Sequence, residues 1–151
     1  MIVDQVYLEA SRCPWDPARH VILDQMIERL GIIRMSFPSD LSSEVVDEYF
    51  RLKAENPRLG KGERACMSMA RYYRDILVSS NFRDIVPYCE RYSIDYLGFF
   101  DILWIAVHKA LISESEANRI IDYACRMDNA RFPAYNIGQY CPNQDLSSWL
   151  Q

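Results

Sequence analysis

The sequence is poor in the residues that usually announce chemistry. Only two histidines occur in 151 residues, His20 and His108, and there is no Cys-x-x-Cys pair. Neither histidine has the other, or a cysteine, at ligand spacing, so the pattern argues against a zinc site and gives both structural roles. The five cysteines, Cys13, Cys66, Cys89, Cys125 and Cys141, are scattered and odd in number, the pattern of reduced thiols rather than a disulfide framework. Long apolar runs are missing and no basic segment follows Met1, so neither a membrane span nor a secretory signal is expected, and a cytoplasmic location is. Excess positive charge is also lacking: 17 Lys+Arg against 21 Asp+Glu leave −4. The bulk charge therefore does not attract phosphate backbones, and any nucleic-acid contact needs a local patch. Glycine (5) and proline (7) are few and act as punctuation, without repeats or a linker. What remains, 50% hydrophobic, 13% aromatic and 25% charged residues, is enough for one packed domain and excludes disorder.

Helices and short apolar runs alternate along the chain. Residues 4–12 form a short helix candidate, and Asp16-Pro17 starts another, with Asp16 as N-cap. That helix places Ile22, Leu23, Met26, Ile27 and Leu30 on one face, expected to be buried, and stops at Gly31. Residues 32–35 read as a strand. Ser42 caps a helix whose inward face is Val45, Val46, Tyr49, Phe50 and Lys53, ended by Asn56-Pro57. The turn Leu59-Gly60-Lys61-Gly62 opens a helix with Cys66, Met69, Ala70 and Tyr73 inward. Residues 75–79 are the strongest strand, expected to be buried and parallel. Asn81 can cap a helix burying Ile85, Val86 and Cys89, and Tyr96-Leu97 reads as a further strand. Helices over about 99–110 and 114–127 follow, the second opened by the capping box Ser113-x-x-Glu116 and patterned Ala117, Ile120, Ile121, Ala124. Alternation of this kind implies an α/β fold with a parallel sheet. Residues 131–151 are read as an irregular tail with a turn near 146–150, so the domain proper spans 1–130.

In a parallel α/β sheet, functional groups collect where strands end and helices begin. Three places qualify: Ser79-Ser80-Asn81, Gly62-Glu63, and Glu9. The segments LGKGERACMSMAR (59–71), DILVSSNFRDIVPYCERYSI (75–94) and YLGFFDILWIAVHKALI (96–112), with IVDQVYLEA (2–10) upstream, resemble the PIN-domain nuclease-like family. The match is to a branch with Gly-Glu on a helix and a Leu-Gly signature after the last strand. The resemblance implies a three-layer fold with a central parallel sheet flanked by helices. It also implies a Mg²⁺- or Mn²⁺-dependent ribonuclease, often the toxin of a toxin–antitoxin pair, with an antitoxin protein and RNA as partners. Hard divalent cations take oxygen ligands, and clustered carboxylates supply both the oxygens and the charge. On this resemblance Glu9 and Glu63 match family acids and Asn81 stands at the corner of the active site. Glu9, Glu63 and Asp84 are then the candidate metal ligands, and Lys61, Arg64 and Arg83 a candidate phosphate-binding rim.

Two departures limit the match. The corner carries Ser80-Asn81 where the family has aspartates, and a neutral amide adds no full charge to a metal site. The family's first acid, an Asp on the opening strand, has no counterpart if residues 2–9 match the later helix. The first strand is then expected to be missing, leaving strand edges that a second copy, the 131–151 tail or upstream residues must cover. An alternative takes Met1–Asp4 as the opening strand and Asp4 as the first acid. These two departures motivate the competing expectation of a degenerate protein that binds RNA or a protein without cutting. Each residue also has an ordinary structural role open to it: Glu63 as a first-turn acid favoured by the helix dipole, Asn81 as an N-cap, and the tyrosines 72, 73, 88, 92 and 96 as core rather than a base-stacking set.

Overall fold

A computed structural model describes residues 1–12, 18–128, 132 and 136–151. The chain is mixed α/β but mostly helical, in two compact units. Unit 1 comprises Met1–Leu77 and Asn81–Tyr96, and unit 2 comprises Val78–Ser80 and Leu97–Gln151.

Unit 1 opens with strand β1 (Ile2–Val3) and runs directly into helix α1 (Asp4–Ser11). Helix α2 (Arg19–Arg29) follows, then β2 (Arg34–Met35), α3 (Ser43–Glu55), α4 (Lys61–Tyr73), β3 (Leu77–Val78), α5 (Phe82–Tyr92) and β4 (Tyr96–Leu97). β1 pairs parallel with β2, Ile2 opposite Arg34 and Val3 opposite Met35. β3 pairs with β4; the amides of Leu77 and Ser79 donate to the carbonyls of Asp95 and Leu97 in ascending order, as parallel strands do. Among the described residues these are two separate two-stranded sheets, not the continuous central sheet expected. A helix begins at the residue after β1, which leaves that strand no length to pair further. Val78 in β3 is exposed, and only Leu77 of that strand is buried.

The helix termini follow local chemistry. The Ser42 hydroxyl accepts from the Val45 amide at the start of α3, and α4 and α5 end in left-handed residues, Arg74 and Ser93. Gly31, with φ of +60°, terminates α2 as expected. The Asp16 cap and Pro17 lie outside the described residues. Two apolar clusters hold the unit together. Val3, Val45, Tyr49, Ala65 and Met69 pack β1 against α3 and α4; Leu52, Leu59, Met67, Leu77, Ile85, Tyr88 and Cys89 pack α3, α4, β3 and α5. Each such fully buried aliphatic side chain contributes about 1.5–3 kcal/mol.

Three expected faces are corrected here. On α3 the inward residues are Val45, Glu48, Tyr49 and Leu52, while Phe50 is exposed. On α4 Tyr73 turns outward and Arg64 inward. On α2 no residue is buried at all.

Unit 2 holds helices α6 (Phe99–His108) and α7 (Glu114–Asp128), close to the expected bounds. Glu116 accepts from the Ser113 amide at 2.8 Å and Ser113 Oγ accepts from the Glu116 amide at 3.2 Å, completing the capping box. The described part of the tail packs within unit 2 and has a turn where one was expected near 146–150. It forms 3-10 turns at Ile137–Gln139 and Ser147–Leu150. Ile137 is buried with Phe100, Leu103, Ala117 and Ile121, and the Tyr140 hydroxyl donates to the buried Asp101 at 2.7 Å. Cys66, Cys89, Cys125 and Cys141 are free thiols; Cys13 lies outside the described residues. No helix among the described residues is long and apolar enough to cross a membrane.

Candidate acidic site at the start of helix α4

The first turn of α4 brings the expected residues together. Val6 and Glu9, three apart on α1, share a helix face directed at Gly62. The Gly62 amide donates to Glu9 Oε1 at 3.1 Å, and a Cβ at Gly62 would stand 2.6 Å from Glu9 Oε2 and 3.2 Å from Val6 Cγ2. Only glycine allows so close an approach. Glu63 folds back so that its Oε2 accepts from the Gly60 amide at 3.2 Å, a side-chain cap for the N-terminal turn. Both carboxylates thus satisfy amides that the helix leaves open, and the dipole favours their charge.

Asn81 stands at the N-cap position of α5 but makes no side-chain cap to that helix. Its Nδ2 donates instead to Glu63 Oε1 and to Asp84 Oδ2, both at 2.8 Å. The amide is a two-donor link between two carboxylates that lie 21 residues apart in sequence. Asp84, in the first turn of α5, also faces Arg83 Nε at 3.7 Å, but the Arg83 side chain is 91% exposed, so that contact has little energetic weight.

Cys66 sits one turn after Gly62. Burial, then the charges of Glu9 and Glu63, push its thiol up to about 11, so it is a neutral packing residue and neither a nucleophile nor a thiolate ligand near neutral pH. Lys61 and Arg83 are exposed on the flanks of the site. Arg64 is not part of a rim: it is 5% exposed, its Nη1 donates to the Leu59 carbonyl at 2.7 Å, and its guanidinium lies over Tyr49. Of the tyrosines, Tyr72 and Tyr73 are exposed and in edge contact with each other, whereas Tyr88 is buried.

Asp4 is the first residue of α1, directly after β1, and not part of the strand on which the alternative reading of the N-terminus placed it. Its Oδ1 is buried without a hydrogen-bond partner. No group of three or more His, Cys, Asp or Glu side chains among the described residues is placed to hold a metal ion.

The most heavily bonded acid of the unit is one the sequence reading passed over. Glu48 on α3 accepts from Arg51 at 2.6 Å, from Tyr88 of α5 at 2.6 Å and from Arg71 of α4 at 2.6 Å. Arg71 in turn lies over the Tyr92 ring, its Cζ 3.8 Å from the centroid. Burial alone would raise the Glu48 carboxyl; the hydrogen bonds from Arg51, Tyr88 and Arg71 overcome it and bring the group down to about 2. The available signal was an acid on the same helical face as Val45, Tyr49 and Leu52. Comparison with known proteins finds no family model, no curated protein and no solved structure that matches this chain.

Proposed function

We propose that the chain is a PIN-like, divalent-metal-dependent ribonuclease whose acidic site lies at the first turn of α4. Supporting this is one observation: Glu9, Glu63, Asn81 and Asp84, drawn from α1, α4 and the entry to α5, converge on one helix end. The donor chemistry suits Mg²⁺ or Mn²⁺, since it is all carboxylate and amide oxygen. Glu9, Glu63 and Asp84 would hold the ion, but they are not preassembled for it, and Glu9 and Glu63 would have to give up their amide partners to do so. The ion supplies an activated water and charge neutralisation at the phosphoryl oxygens. The chain's own groups do the rest: Asn81 orients Glu63 and Asp84, and Lys61 and Arg83 meet the phosphate backbone on either side.

A second reading is a PIN-like protein that binds RNA or a partner without cutting. The observation in its favour is that the neutral Asn81 amide already joins Glu63 to Asp84, while no three-carboxylate group is preassembled among the described residues.

Glu63→Gln separates the two, because glutamine keeps an oxygen for the Gly60 amide and removes the charge. Calorimetric titration with Mn²⁺ and cleavage of a single-stranded RNA pool are the measurements. The nuclease reading expects saturable Mn²⁺ binding, Mn²⁺-dependent cleavage and a loss of about 100-fold or more in Glu63→Gln. RNA retention in a gel shift without Mn²⁺ binding establishes the second reading, and neither property overturns both.

A further inference from the structure

Helices α4 and α5 both end on a residue in the left-handed region, Arg74 (φ 52°) and Ser93 (φ 53°), and each then turns into a strand of the same parallel pair. The Leu77 amide donates to the Asp95 carbonyl at 2.9 Å, which sets residues 74–76 beside residues 93–95, at the end of the strand pair away from Asn81. Within unit 1 these turns border a cleft of about 440 Å³ lined by Arg71, residues 74–76 and residues 92–95, a volume in the range of small-molecule pockets. Arg71 is fixed from two sides: its Nη1 lies 2.6 Å from Glu48 Oε2 and its Cζ 3.8 Å from the Tyr92 centroid, yet its side chain remains 38% exposed. Arg74 and Asp95 are exposed, and neither side chain has a bonding partner among the described residues. Asp75 is exposed as well, but its Oδ1 already accepts from the Ile76 amide at 2.9 Å. Two cations and two carboxylates balance, so the cleft is no trap for phosphate alone. It suits a flat, uncharged group that carries both acceptors and donors.

We propose that this cleft binds a guanine base, stacked against the Arg71–Tyr92 pair and read at its two edges by Asp95 and Arg74. Bases stack on guanidinium and aromatic planes alike. The Watson–Crick edge of guanine carries two adjacent donors, N1–H and the N2 amine, and Asp95, with both carboxylate oxygens free, accepts the pair. The opposite edge carries two adjacent acceptors, O6 and N7, which an arginine fork bonds bidentately; Arg74 is the unengaged fork. Asp95 and Arg74 stand on the two turns that border the cleft, so the two edges of one base meet opposite sides of it. Adenine has no N1–H and puts a donor beside N7, and so satisfies neither side chain. The base can come from a free guanine nucleotide or from a guanine of single-stranded RNA, since the chemistry in the cleft is the same. None of these residues belongs to the acidic site, and the inference does not rest on the nuclease reading.

Calorimetric titration of the full chain without Mn²⁺ tests this, using GMP, AMP and single-stranded oligouridines carrying one central guanosine or adenosine. The guanine probe is expected to bind at least about 10-fold tighter than its adenine counterpart. Saturation by GMP identifies the free nucleotide as sufficient, and saturation by the oligonucleotide alone identifies RNA as the source. Arg74→Gly, a substitution that suits the left-handed backbone there, is expected to weaken guanine binding about 10-fold. Asp95→Asn gives a readout that a structural role would not move: asparagine presents one acceptor and one donor, so the variant should lose guanine and gain the corresponding xanthine probe, in which a carbonyl replaces the N2 amine. No saturable binding of either guanine probe, equal affinity for guanine and adenine, an affinity indifferent to Arg74→Gly, or an Asp95→Asn variant that keeps guanine or fails to gain xanthine would overturn the proposal.

Discussion

Replacing Glu48 by alanine is expected to destabilise unit 1 by about 3–4 kcal/mol and to lower its melting temperature by about 10 °C. The carboxylate joins three helices through Arg51, Arg71 and Tyr88. Removing it leaves a buried tyrosine hydroxyl without an acceptor, Arg71 without its counter-charge and Arg51 with Glu55 alone. Because Arg51 and Arg71 remain about a third exposed, at 33% and 38%, water compensates part of the loss, and the effect stays below that of a fully buried triad. The same network sets an acid limit. The Glu48 carboxyl lies at about 2 in the folded chain against an ordinary value of 4.5. The unfolded chain therefore binds the proton first as pH falls. The stabilisation is complete above pH 4.5 and is lost between there and pH 2, a change of about 3 kcal/mol. Urea unfolding of the parent and of Glu48→Gln from pH 6 to pH 2 measures it: the gap between the two should close through that window, and a constant gap would show that the Glu48 charge is not what stabilises the unit.

Gly62→Ala is expected to disassemble the acidic site while leaving the fold standing and, on the nuclease reading proposed above, to lower Mn²⁺-dependent cleavage about 100-fold. The new Cβ would stand 2.6 Å from Glu9 Oε2, and a glutamate head group is the part most free to move. Its departure costs one amide–carboxylate bond. Alanine regains up to about 1 kcal/mol of helix propensity, so the net change in stability is expected within about 1 kcal/mol. Gly60→Ala is the control, since its Cβ would meet Glu63 Oε2 at 3.3 Å, a contact a small shift relieves. The Gly62 amide proton gives a readout independent of metal and RNA: its chemical shift should move the same way in Gly62→Ala, at the substituted residue, and in Glu9→Gln. Unchanged cleavage and an unchanged amide would show that Glu9 is not held by this contact.

Much of the element order is legible in the sequence, since the signals involved are local. Capping residues, the Gly31 stop, the Ser113–Glu116 box and the Tyr96–Leu97 strand all act within a few residues of themselves. Helix faces are less legible. An apolar stripe shows that a helix wants a partner without showing that one is present, and α2 has the stripe but no buried residue. Arg64 illustrates the converse: by type it belongs at a phosphate rim, yet the Leu59 carbonyl and the Tyr49 ring hold it inside.

The acidic site divides along the same line. The sequence alone determines which groups are available: Glu9 on the first short helix and Glu63, Asn81 and Asp84 at helix starts, on a chain with few histidines, scattered thiols and no excess positive charge. Only the tertiary structure decides that Glu9 of α1 reaches the Gly62 amide, that Asn81 links Glu63 to Asp84 rather than capping α5, and that Glu48 gathers Arg51, Arg71 and Tyr88. The physical reason is range. Caps and turns depend on bonds within one turn of chain, whereas the long-range members of this set, such as Asn81 with Glu63 and Gly62 with Glu9, join residues 18 and 53 positions apart and exist only once the apolar clusters have fixed where each helix lies.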